Sequence, residues 1–174
     1  MLRLRRKHSQ TTPAPAIDAA ALLNAQAPGR ALLAAVGIAA LMNMLWLWLS
    51  DLTGHFFHAF SLLQGPMIGL AVRRAGHGID WRFPSLAASV AVLAAVSGNF
   101  LVSLTTTAVV LDATALQVLR GLTVWTWQTW YAEVLSTADF IYALFAAAVA
   151  AFYSRRRLQR QEIFALRNRI SNDD

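Results

Sequence analysis

The most constraining feature of this chain is the segment 31–50, ALLAAVGIAALMNMLWLWLS, which contains no charged residue. A helix of about 20 apolar residues spans a bilayer core about 30 Å thick. Three more stretches follow the same logic. Residues 56–72 are shorter and interrupted by Gln64, Gly65 and Pro66; residues 84–111 are long enough to tilt or project; residues 137–153 are alanine-rich, with Asp139 near their start. The expected fold is therefore all-α: four transmembrane helices in a bundle, with residues 1–30 and 154–174 as basic tails. Hydrophobic residues make up 57% of the chain and charged ones 14%, which excludes most water-soluble folds and every disordered one. With no cysteine, disulfide frameworks, thiolate metal sites and cysteine nucleophiles are excluded as well.

The basic residues set an orientation. Of 15 Lys and Arg, five precede the first stretch, none follows it directly, three lie between the second and third (Arg73, Arg74, Arg82), one is Arg120, and six follow the fourth, starting with Arg155, Arg156 and Arg157. Short basic loops are retained in the cytoplasm, so both termini are expected inside, at a bacterial inner membrane. The same arginines suit lipid headgroups, which accounts for the net charge of +6 without nucleic acid. Trp46, Trp48, Trp125, Trp127 and Trp130 are expected at the outer interface, and Trp81 at the inner one. The basic start of residues 1–30 is not that of a signal peptide, because the apolar block begins too late and runs too long. Residues 11–16 (TTPAPA) read as a disordered spacer and 17–26 as a short helix. In the loop 112–136 a helix at the interface is expected over a strand, since an isolated strand leaves backbone groups unpaired near lipid. Residues 154–170 are expected to continue the last span as a helix, with Ile163, Leu166 and Ile170 as a thin apolar stripe.

Four constellations are candidates for function. Gly65, Pro66 and Gly69 on the second span, with Gly98 on the third, suit close helix packing. Asn43, Asn99 and Asp139 sit roughly 18, 22 and 21 Å from the cytoplasmic end of their helices and Gln64 roughly 12 Å. An aspartate at that level with amide partners is a candidate proton or cation site. Equally, Ser136, Thr137 and Asp139 read as the cap and first turn of the last helix, and the asparagines as interhelical glue. His55 and His58, three apart, would share a helix face and with Asp51 are weak metal or haem candidates. Finally, Gly76 and Gly78 are expected to close the second span with left-handed caps. The segment 73–80 does not match the Gly-x-Gly-Asp motif of intramembrane aspartyl proteases, because Ile79 separates Gly78 from Asp80. No nucleophile motif, H-E-x-x-H or phosphate-cradling glycine loop occurs, so no catalytic residue, cofactor or metal is assigned.

The run GPMIGLAVRRAGHGIDWRF (65–83), continuing to Ser97-Gly98-Asn99, resembles a set of small bacterial four-span membrane proteins. Their pattern is G-x-x-x-G-x-A-V-R, a glycine-rich basic turn, R-F, and G-N in the next span. Residues 137–153 are similar to their last span, which opens on an aspartate followed by aromatics and alanines. The resemblance covers about a third of the chain. It implies the four-helix topology and assigns no catalytic or ligand residue. The leading functional expectation is a non-enzymatic accessory or assembly subunit with lipid contacts and a protein partner or a second copy of itself. The alternatives are an oligomeric proton or ion transporter using Asp139, Asn99 and Asn43, a metal- or haem-binding membrane protein using His55 and His58, and an intramembrane enzyme.

Overall fold

The structure is a computed structural model that describes residues 19–134, 136–156 and 158–164. Among these residues it is helical, without strands. Residues 26–156 form one compact unit, and the described residues on either side of it belong to a second. The second unit contains α1 (Ala19–Asn24) and, farther on, the helical residues 160–164. The large unit holds α2 (Pro28–Thr53), a 3₁₀ turn (His58–Phe60), α3 (Ser61–Gly76), α4 (Arg82–Val110), α5 (Ala115–Gly121), α6 (Val124–Val134) and α7 (Thr137–Ser154). Three of these, α2, α4 and α7, are long and apolar enough to cross a membrane.

Helix α3 packs against α2, α4 and α7, and α4 packs against α2 and α7. The contacts fix the directions. Ala27 N–H donates to the Gly76 carbonyl at 3.0 Å and Gln64 bonds Asn43, so α2 and α3 run antiparallel. Gly65 faces Ala146 and Gly69 faces Ala150, so α3 and α7 run parallel. Ala31 and Phe83 meet at Gly76, and Asn43 meets Gly98, so α2 and α4 are parallel too. The helices therefore alternate up and down, and the start of α2, the α3–α4 turn and the end of α7 lie at one end.

Many of the residues that face inward are small, alongside a few large ones such as Trp46, Ile68 and Phe83. The small ones recur at three- and four-residue steps: Ala31, Ala35 and Ala39 on α2, Ala87, Ala91, Ala94 and Ala95 on α4, and Ala143, Ala146 and Ala150 on α7. Large apolar side chains such as Leu33, Met44, Leu93, Leu144, Phe145 and Phe152 point outward and are exposed. A water-soluble core has the opposite arrangement; helices in lipid gain nothing by hiding leucine and associate through close backbone approach instead. A methyl group at Gly65 would meet the Ala146 carbonyl oxygen at 2.5 Å, and one at Gly69 the Ala150 carbonyl oxygen at 2.6 Å. Pro66 lies between them, inside α3, where it removes one backbone donor without ending the helix.

Several expectations need correction. The second helix does not begin at Phe56. Residues 55–57 are non-helical, a 3₁₀ turn follows, and α3 runs on to Gly76. The left-handed cap at its end belongs to His77 (φ 49°), not to Gly76 or Gly78. Both glycines instead lie under the Phe83 ring, which leaves no room for a side chain at Gly78. The loop 112–136 forms two helices, α5 and α6, and Phe100 of α4 meets Trp127 and Trp130 of α6 with ring centroids 5.6 and 5.2 Å apart. Trp46, expected at the outer interface, is fully buried within the protein and stacks on Phe60 at 5.4 Å. Trp48, Trp81 and Trp127 are exposed. The last span does not continue into the tail, because Arg155 is extended (ψ 127°) and α7 stops at Ser154. The spacer 11–16 and the stripe residues Leu166 and Ile170 lie outside the described residues.

Gly65→Leu is expected to force α3 off α7 and destabilise the protein by about 1–3 kcal/mol or more, the usual range for overpacking. Gly37→Leu, on the open face of α2 where nothing lies within 4 Å, should change stability little. Thermal unfolding of the two variants in mild detergent compares them directly.

Candidate functional site

Polar groups converge on two places inside the unit and one at its end. The first is an amide cluster. Asn43 of α2 donates through Nδ2 to Ser97 Oγ of α4 at 3.0 Å and accepts at Oδ1 from Gln64 Nε2 of α3 at 2.7 Å. Ser97 Oγ in turn donates to the Ala94 carbonyl at 3.1 Å. Gly98 makes this possible, since a methyl group there would meet Asn43 Oδ1 at 2.6 Å and the Trp46 ring at 2.7 Å. Gln64 and Asn99 are buried, and Gln64 Oε1, Asn99 Oδ1 and Trp46 Nε1 have no hydrogen-bond partner among the described residues.

Counted from a helix end at Val72, Gln64 lies about 6 Å nearer the cytoplasmic end than Asn43. Helix α3 continues to Gly76, which adds about four residues of rise and brings the two amides level. Ser97 was not anticipated; serines that back-bond to a helix carbonyl carry little sequence signal.

The second group ties the start of α3 to the start of α7. Ser136 caps α7: its Oγ accepts from Asp139 N–H at 3.4 Å, and its own N–H and hydroxyl donate to Asp139 Oδ2 at 2.9 and 2.6 Å. The other carboxylate oxygen bonds His58 Nδ1 at 2.9 Å. Asp139 is buried, while His58 is about half exposed (48% of its side chain). Asp139 thus pairs with His58 and Ser136, and no hydrogen bond joins it to Asn43 or Asn99. The pairing was readable in principle, because two parallel spans begin at the same level and His58 and Asp139 each stand near the start of one.

His55 and His58 do not share a helix face, since residues 54–57 are outside any helix. His55 Nδ1 contacts the Thr53 carbonyl at 2.7 Å instead. Asp51 and His55 line a 260 Å³ cavity between the ends of α2 and α4, with Ser50, Thr105 and Thr106, whereas His58 turns toward α7. No group of three or more His, Cys, Asp or Glu that would hold a metal occurs among the described residues.

The third place is the basic end. Arg73 and Arg74 at the close of α3, Arg82 at the opening of α4 and Arg155 after α7 are exposed, and Arg156 is partly buried. Arg157 lies outside the described residues. The up-and-down order of the helices gathers these cations, with Arg30 at the start of α2, at one end of the unit. No protein-family model, curated protein or solved structure matches the chain.

Asn43→Ala strands the Gln64 amide in an apolar interior, a loss of about 1–3 kcal/mol. Ser97→Ala removes one interhelical bond and should lose only about 0.6–1 kcal/mol. Adding Gln64→Leu to Asn43→Ala should recover part of the stability, which unfolding titrations in micelles will read as a coupling between the two sites. At the other site, Asp139→Ala removes the N3 half of the capping box as well as the histidine partner, so it should lower the unfolding temperature more than His58→Ala does.

Proposed function

We propose that the chain is a polytopic inner-membrane protein with four spans and both termini in the cytoplasm, and that it serves as a non-enzymatic accessory or assembly subunit. Helix α3, at 16 residues, is about 24 Å long, and the 3₁₀ turn before it adds about 6 Å, which together match a bilayer core. The arginines gathered at one end supply the asymmetry that would retain that end in the cytoplasm.

The observation that supports an assembly role is the closed interior. Glycines of α3 touch the α7 backbone, and both ends of the Asn43 amide are used between helices. What remains for other molecules is the outer apolar surface and the basic end. A second reading rests on Gln64 Oε1 and Asn99 Oδ1, two buried oxygens without partners. Carbonyl oxygens in spans mark ion paths in some proteins, which keeps an oligomeric proton or ion carrier, using Asn43, Asn99 and Asp139, as the alternative.

Two measurements test these readings. Since the chain contains no cysteine, single replacements report topology cleanly. An impermeant maleimide should label Ala113→Cys on intact spheroplasts and His77→Cys only after lysis. Native mass spectrometry of the gently solubilised protein should then show a second protein in fixed ratio. A closed homo-oligomer whose proton flux in liposomes is lost in Asp139→Asn would select the alternative, and a bare monomer would overturn the assembly role.

A further inference from the structure

The α3–α4 turn and the end of α7 border an open cavity of about 440 Å³, lined by Gly78, Ile79, Asp80, Trp81, Pro84, Arg155 and Arg156. That volume is within the ordinary range for small-molecule sites. Its chemistry is mixed in a particular way. Asp80 and Arg155 are both exposed and line the same cavity, yet no ion pair joins them. Ile79, Trp81 and Pro84 give it an apolar side, and the Trp81 ring is 76% exposed.

The wall is packed from behind. The Phe83 ring, 3% exposed, fills the space over Gly76 and Gly78, and His77 holds the left-handed turn between them. Arg155, extended at the end of α7, carries the chain away from the helix axis beside that turn.

We infer that this cavity binds the headgroup of a zwitterionic phospholipid, with the phosphodiester on Arg155 and a primary ammonium on Asp80. A guanidinium presents a fork of donors that matches phosphate oxygens. An ammonium between a carboxylate and an indole face gains from both. A purely anionic headgroup satisfies the arginines and leaves the Asp80 carboxylate facing like charge, so the carboxylate selects against it. The apolar side takes the glycerol and the first carbons of the acyl chains, and exposed Trp81 suits the membrane–water boundary. This inference rests on the membrane-spanning reading above.

The test uses the full chain, purified in mild detergent and titrated with phosphatidylethanolamine or phosphatidylglycerol while native mass spectra and unfolding temperatures are recorded. One phosphatidylethanolamine should be retained in preference to phosphatidylglycerol. Arg155→Gln should weaken its retention about tenfold, the size expected for one charge-assisted bond. Asp80→Asn should reverse the preference toward phosphatidylglycerol, and this reversal is a readout that simple loss of structure would not give. Both variants should keep the wild-type unfolding temperature in lipid-free detergent.

Inorganic phosphate and O-phosphoethanolamine serve as soluble probes. Stabilisation by O-phosphoethanolamine equal to that by the lipid would support the headgroup chemistry and assign a soluble source. Equal retention of both lipids, unaffected by either variant, would overturn the site. A protein that partitions away from membranes in carbonate extraction would instead overturn the membrane reading itself.

Discussion

The structure depends on the close approach of α3 and α7. In lipid, burying leucine against leucine gains little over leaving it against acyl chains, so helices must find each other through backbone proximity. Gly65 and Gly69 provide a notch on α3, and Ala146 and Ala150 provide the parallel ridge on α7. Because the two helices run in the same direction, both contacts repeat at four-residue spacing and reinforce one another. Once seated, α3 touches every other long helix, as α4 does too.

That placement explains the polar groups. A 16-residue helix is short for a bilayer, and its two ends are tied by different devices. At one end Ala27 bonds the Gly76 carbonyl, and Phe83 packs over the following turn. At the other, His58 bonds Asp139 at the start of α7, and Phe60 stacks on buried Trp46. Midway, Gln64 bonds Asn43. Each tie is modest in energy, but an unmet partner in an apolar interior is costly. The polar contacts therefore select one register of α3 among several that small-residue packing alone would allow.

A functional consequence follows from the same geometry. With the interior occupied by helix contacts, recognition is left to surfaces. One of these is the basic end, where Arg155 and Arg156 line a cavity with the Gly78–Pro84 turn and Asp80 adds a single opposing charge. An even spread of cations would attract any anionic lipid. A cation and an anion across one cavity discriminate, because each rejects what the other accepts.

The sequence alone determined that the chain is helical and that three of its helices are long and apolar enough to cross a membrane; uncharged runs of this length have no other economical fold. It also pointed to the packing glycines and the buried polar residues, since charge and small size are properties of the residue itself. Tertiary structure decided what these residues meet. Depth counted along one helix puts Asn43 and Asn99 at neighbouring levels, which agrees with Asn43 lying beside Gly98. The count also put Asp139 there, whereas Asp139 stands level with His58, just before α3. It misplaced Gln64, because the end of α3 is set by the Phe83 contact rather than by hydropathy. The pairing of His58 with Asp139, the burial of Trp46 and the cavity between Asp80 and Arg155 depend on which helices lie parallel. That arrangement is a property of packing between segments far apart in the chain, and no local pattern encodes it.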